Sequence, residues 1–261
     1  MAGNQNAIAY GILKQAGVDT EGMTPKEAWK KVKELGLFKI RQNPMSREEK
    51  KARKIQAKDP EHSPNYKYKH NKDYIADVKI GQPMTFVQAD NGASNPYYKQ
   101  KGLYGYRNNC QTCVVAFEAR LRGYDVRALP NNRNKFIERL SRNTALAYIT
   151  QAGIPPTSND YICTPNGIDK FQHLETVIQE GKRYSIQWGW ANKPGKGHII
   201  SVSKEKGHLR FYDPQTNKVR NLEEFKNHIS NRILGGFALL RVDNLEFNPK
   251  YIDYILKGAK K

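Results

Sequence analysis

"RNNCQTCVVAFEARLRGYDV", residues 107–126, decides how the rest of this chain is read. Cys110, Cys113, Val114, Phe117 and Leu121 recur at i, i+3, i+4, i+7 and i+11, which is one face of an amphipathic helix. Asn109 suits the N-cap and Gly123 the stop. Two of the three cysteines therefore sit at the front of one helix, where exposed N–H groups and the macrodipole favour a thiolate. The pair reads as half a metal site, a redox pair, a packing coincidence or a nucleophile that needs a histidine. Zinc needs two more ligands, and Cys163 and His173 lack ribbon or finger spacing. A thioredoxin-type pair belongs in a βαβ unit, and none surrounds this one.

The histidine comes from "GHIISVSKEKGHLRFYD", residues 197–213, which alternates as a β-hairpin. Pairing about a midpoint between Glu205 and Lys206, in the polar turn, sets His198 directly opposite Asp213. Their Cβ atoms would then be about 4.5–5.5 Å apart. A carboxylate so placed fixes one imidazole tautomer and stabilises the imidazolium. Cys110, His198 and Asp213 make a nucleophile, a base and an orienting acid. Cys113 is the alternative nucleophile, one turn further in on the apolar face.

Around these motifs the chain divides into three. Residues 1–40 read as a small helical hairpin. Ala7–Gln15 forms its first helix; in the second, Thr24, Pro25 and Glu27 make a capping box, Ala28, Trp29, Val32 and Leu35 an apolar stripe, and Gly36 the stop. Residues 41–73 are charged and nearly free of aliphatic side chains, and read as a basic linker or loosely held arm carrying His62 and His70. Residues 74–261 carry the folded domain. "YIADVKIG" and "MTFVQA" read as strands, "YDVRALP" as a short strand, and 136–152 and 167–179 as helices. "RYSIQWGW" reads as a strand, "LEEFKNHISNRI" as a helix and "GFALLRVD" as a last strand. Helices precede an antiparallel sheet, so the class is α+β.

Composition narrows the function. The 261 residues carry a net charge of +19 and 38% hydrophobic residues, with mean hydropathy −0.80. Three cysteines exclude a disulfide scaffold. The chain shows no signal peptide and no apolar run of about 20 residues that would span a membrane. This points to a reducing cytoplasm or a route that bypasses general secretion. The charge favours a polyanionic neighbour, with non-specific nucleic acid contact through the basic surface. No sequence-specific nucleic-acid motif accompanies it.

"NNCQTCVVAFEARLRGYDVRALP", then "GHIISV", then "FYDPQ" resemble the papain-fold toxin family, also described as glutamine deamidase-like. The resemblance covers roughly residues 104–242. Such domains occur as C-terminal effector modules of polymorphic toxins and on phage minor head proteins. "AIAYGILKQAGVDTEGMTPKEA" is similar to segments of phage-associated proteins. The resemblance implies a papain-like α+β fold with a Cys-His-Asp triad, no cofactor, and conversion of a protein glutamine to glutamate through a thioester. It matches Asn109-Cys110, His198 and Asp213-Pro214-Gln215 to the family's motifs. Papain's own C-x-x-C uses the second cysteine, which would select Cys113 instead.

On this reading the oxyanion meets the backbone N–H of the nucleophile and the Asn108 or Asn109 side chain, Gln215 orients His198 or lines the cleft, and Trp188 and Trp190 form core or cleft wall. The expected partners are a protein with a reactive glutamine and a phage capsid or delivery apparatus. The expected location is a bacterial host cytoplasm, a phage particle or a cell receiving an effector. A cysteine protease, a transglutaminase or a non-enzymatic, nucleic-acid-binding particle protein is the competing expectation.

Overall fold

The computed structural model describes residues 10, 13, 16–35, 47–66, 82–89, 91–193, 195–230 and 232–258. They fall into two compact units, Met1–Glu48 and Glu49–Lys261. In the first, helix α1 (Pro25–Glu34) begins on the expected capping box: Thr24 accepts from the Glu27 N–H, and the Glu27 carboxylate receives the Thr24 N–H at 2.8 Å. Ala28 and Val32 are buried with Leu13, against Tyr10, Val18, Met23 and Trp29. Leu35 leaves the expected stripe; it caps the helix end and is 45% exposed. Of the expected first helix only Tyr10 and Leu13 lie among the described residues.

The second unit contains α2 (Arg47–Lys58) from Glu49 onward, α3 (Phe86–Ala89), α4 (Cys110–Leu121), α5 (Lys135–Arg142), α6 (Lys170–Val177), α7 (Leu222–Ile229) and α8 (Pro249–Ile255). Its strands are β1 (Val126–Ala128), β2 (Tyr148–Ile149), β3 (Tyr161–Cys163), β4 (Arg183–Trp190), β5 (Gly197–Glu205), β6 (His208–Asp213), β7 (Lys218–Arg220), β8 (Ile233–Arg241), β9 (Glu246–Phe247) and β10 (Leu256–Gly258). A six-stranded antiparallel sheet runs β3-β8-β4-β5-β6-β7, and β1-β10 and β2-β9 are small pairs. The architecture is α+β, with an antiparallel sheet as expected.

Helix α4 is central rather than amphipathic. Every residue from Gln111 to Arg120 is buried. Its apolar side packs with Val126, Ile137, Leu140, Ile199 and Ile252. Phe117 meets Tyr212 of β6 with ring centroids 4.5 Å apart. The one-face pattern failed because polar helix residues have interior partners. Glu118 takes Arg183 of β4 at 2.8 Å and Arg122 at 2.9 Å, while Arg120 takes Asp125 at 2.6 Å. The Glu118–Arg183 pair pins the helix to the sheet, and all three satisfy side chains that would otherwise need water. A second core, on Phe171, Trp188, Phe211, Phe225 and Phe237, joins α6 and α7 to the sheet.

Three further expectations are corrected, and a fourth falls outside the described residues. "MTFVQA" is not a strand: Phe86–Ala89 is a helical turn, with Thr85 and Gln88 closing a local hydrogen-bonded loop at 2.8 Å. "YIADVKIG" lies outside the described residues. The expected helix over 136–152 ends at Arg142, where Asn143 turns the chain into a 3-10 turn and β2. "GFALLRVD" is not the last strand, since β9 and β10 follow.

The supposed loose arm is partly an anchor. Residues 47–58 are helical, and Glu61 and His62 are buried. Glu61 receives Arg127 at 2.6 and 2.9 Å, Lys257 at 2.6 Å and the Tyr106 hydroxyl. These hydrogen bonds outweigh the burial that would raise its pKa, and hold Glu61 down at about 2. Composition described the segment as solvated because the partners that neutralise it come from far along the chain.

Candidate functional site

The hairpin closes differently from its expected centre. Glu205 pairs with His208 and Ser201 with Tyr212, so the register continues to Ile200, not His198, opposite Asp213. The cause is a two-residue turn at Lys206-Gly207 with φ of 52° and 80°, the conformation of a type I′ hairpin. The register is offset by two residues, which keeps both side chains on one face, whereas a slip of one would have separated them. His198 and Asp213 are therefore diagonal neighbours at the strand ends. His198 Nε2 lies 3.0 Å from Asp213 Oδ2.

The Asp213 carboxylate is held on several sides. Thr216 Oγ1 donates to Oδ2 at 2.8 Å, and the Gln215 N–H donates to Oδ1 at 3.0 Å. Burial would raise its pKa, but the His198 hydrogen bond and charge, Thr216 and Gln215 reverse that and hold it below the usual range. Burial alone would likewise discharge His198; hydrogen bonds and charge from Asp213 and Cys110 prevail and raise the ring to about 10. With Nε2 on Asp213, Nδ1 is the ring nitrogen left for the thiol.

Cys110 stands at the N-terminal tip of α4, partly exposed and near enough to His198 to help raise the ring's pKa. Its thiol also approaches Gln111 Oε1 at 3.6 Å, and Gln111 Nε2 donates to Ser141 at 2.8 Å. Cys113 lies one turn inward and has no exposure. Burial, with the charges of Cys110 and Asp213, pushes its thiol well up. The structure thus brings Cys110, His198 and Asp213 together and leaves Cys113 in the core.

The remaining candidates are placed as follows. Asn109 precedes the helix but its side chain makes no cap. It is fully buried, its amide donating to Leu129 O at 3.1 Å. Asn108 is exposed, and its amide donates to Tyr104 O at 3.1 Å. Gln215 Nε2 turns to Asn109 Oδ1 at 3.4 Å rather than to the histidine.

Trp188 is 6% exposed and packs within the second core. It pairs with His198 across β4 and β5, the rings edge-to-face at 5.4 Å. Trp190, half-buried, lies nearly parallel to the imidazole at 6.2 Å. Gly197 permits this close packing: a Cβ there would fall 2.5 Å from Trp188 O. Cys163 is exposed. No His, Cys, Asp or Glu cluster suited to a metal occurs among the described residues. No helix among them is long and apolar enough to cross a membrane.

Sequence reasoning missed Gln111, Thr216 and Asn95. Thr216 was legible in principle, because a hydroxyl three residues after an Asp at a turn is a local partner for that carboxylate. Gln111 and Asn95 act across the fold and had no local signal.

With this geometry in place, residues 108–218 match the family model described as "Papain fold toxin 1, glutamine deamidase". The matched span contains the cysteine helix, the histidine strand and the Asp-Pro-Gln turn, and bears out the family read from those three motifs. No curated protein matches the chain.

Proposed function

We propose that the second unit is a cysteine-dependent glutamine deamidase with Cys110 as nucleophile, His198 as acid and base, and Asp213 as the group that orients and charges the ring. The observation that carries this reading is the linked arrangement of a partly exposed thiol, an imidazole and a buried carboxylate, inside the span that matches the deamidase family.

The Cys110 thiolate, paired with the His198 imidazolium, attacks the side-chain carbonyl carbon of a protein glutamine. The resulting oxyanion faces the backbone N–H groups of Cys110 and Gln111 at the tip of α4, ahead of Thr112 and Cys113, whose N–H groups donate to Asn109 O. His198 gives its proton to the departing nitrogen, and ammonia leaves as the thioester forms. A water then attacks the thioester. His198 takes its proton, glutamate is released, and the thiolate–imidazolium pair re-forms. Asp213 stabilises the imidazolium through both steps, with Thr216 and the Gln215 N–H fixing the carboxylate. Trp190 limits one side of the approach to the ring.

The activity class is that of an effector acting on a protein in a recipient cell. The test is incubation of the full chain with a glutamine-bearing protein lysate, following ammonia release and mapping amide-to-acid conversions by mass spectrometry. Conversion lost in Cys110→Ala and His198→Ala supports deamidation. Peptide cleavage or amine incorporation at the same Cys110 would replace it with proteolysis or transglutamination.

A further inference from the structure

We propose that Asn95 is a positioning residue that locks the nucleophile segment to the acid-bearing turn; the inference rests on the deamidase reading of Cys110, His198 and Asp213. Asn95 lies before residues 108–218, so the family match does not reach it. Its side-chain amide donates to Tyr106 O at 2.9 Å and to Gln215 O at 3.0 Å, and approaches Asn109 Oδ1 at 3.4 Å. Tyr106 and Asn109 belong to the turn that delivers Cys110. Gln215 belongs to the turn that follows Asp213, and its N–H bonds the Asp213 carboxylate. One amide group therefore spans the two chain segments that must stay in register for chemistry.

The rest of Asn95 suits a fixed strut. The residue is 4% exposed. Its own N–H donates to Gly92 O at 3.1 Å, and the neighbouring Ser94 carbonyl accepts from Ala128 N–H at 2.8 Å. Its Oδ1 finds no hydrogen-bond partner among the described residues. The buried site thus uses the two amide donors and leaves the acceptor idle. A residue kept for local folding would satisfy both ends. A donor pair aimed at two carbonyls on separate segments instead fixes a distance between them. Small misplacements of reacting groups are costly, so such supports set the efficiency of a site.

The consequence concerns Cys110 more than the fold. Without the amide, the turn at 104–109 and the turn at 213–216 are free to drift apart, and the thiol and imidazole lose their contact. Asn95→Asp removes both donors and sets a carboxylate against two carbonyl oxygens. Asn95→Ser keeps one donor and serves one carbonyl at most.

The experiment measures Cys110 alkylation by iodoacetamide across pH, with peptide mapping, on the full-length wild type and on Asn95→Ala, Asn95→Asp and Asn95→Ser. Circular dichroism and melting are measured on the same samples. The expected result is a fall of about tenfold or more at about pH 6 in Asn95→Ala. Asn95→Asp falls further and Asn95→Ser lies between, with the pH profile displaced towards that of exposed Cys163. Folded variants whose Cys110 profile superimposes on the wild type, whatever their melting temperature, overturn the proposal. Should Asn95→Ala not fold, the profile of Asn95→Ser decides in the same way. A wild-type Cys110 that labels no faster than Cys163 would instead bring down the catalytic reading itself.

Discussion

Two buried carboxylates in the second unit, Glu61 and Asp213, use the same physics to different ends. Both are kept ionised against burial by partners that supply hydrogen bonds and positive charge. The partners of Glu61 are Arg127 and Lys257, cations throughout the ordinary pH range, with the Tyr106 hydroxyl completing the shell. Its donors keep their protons across the ordinary pH range, and the cluster holds residues 59–66 against the domain. The partner of Asp213 is His198, whose ring has a second nitrogen and a thiol beside it. Replacing a permanent cation by an ionisable one, at the edge of a partly exposed cysteine, separates a clasp from a reactive centre.

The comparison breaks most visibly at the nucleophile. Cys110→Ala removes all thioester chemistry with melting little changed, and His198→Ala lowers turnover by about 10²- to 10⁴-fold. Cys113→Ala retains turnover within a few-fold once folding is matched. Retained activity in Cys110→Ala and loss in Cys113→Ala, followed by ammonia release, would exchange their roles.

At the clasp the order of effects reverses. Glu61→Ala leaves the Arg127 guanidinium buried without its carboxylate and should cost about 3–5 kcal/mol of stability, read as a lower melting temperature or denaturant midpoint. Turnover per folded molecule should change far less than in His198→Ala. Wild-type stability with lost turnover would make Glu61 part of the reactive centre.

Acid separates the two carboxylates more finely. Glu61 is held at about 2 against an ordinary 4.5, so its contribution is complete above pH 4.5 and is lost as pH falls towards 2. That depression corresponds to about 3 kcal/mol at roughly 1.4 kcal/mol per unit. His198 runs the other way. Its pKa is raised from 6.5 to about 10, so its ion pair is fully present below pH 6.5 and lost as pH rises through about 10. Melting curves across pH should lose an acid component in Glu61→Ala and an alkaline component in His198→Ala. The smallest effect is expected from Thr216→Val, which removes one hydrogen bond from Asp213 and should cost about 1 kcal/mol. It should also shift the acid limb of the activity profile towards higher pH.

The proposed reactive centre could be assembled from the sequence because its motifs are local. A helix front with Cys110, a strand opening on His198 and a turn at Asp213 each carry their own signals of period and punctuation. The register was misjudged by two residues because the Lys206-Gly207 turn is tighter than the polar run around it. The error preserved the face, so the pairing of His198 with Asp213 was still read. The helix was taken for amphipathic because Glu118 and Arg120 look like a solvated face. Their partners Arg183 and Asp125 are visible only when the chain is folded. The clasp at Glu61 and the strut at Asn95 escaped for the same reason: each polar side chain is satisfied by residues far along the chain, and composition sees only its charge or its loop context.

The most direct measurement of the central claim is iodoacetamide labelling at about pH 6 with peptide mapping, on the wild type and on His198→Ala. A free thiol is mostly protonated there, with a pKa of about 8.5. Rapid labelling confined to Cys110 in the wild type, and lost in folded His198→Ala, is the predicted result. Slow labelling of Cys110 at the rate of exposed Cys163, unchanged by the substitution, would contradict an activated thiol–imidazole pair.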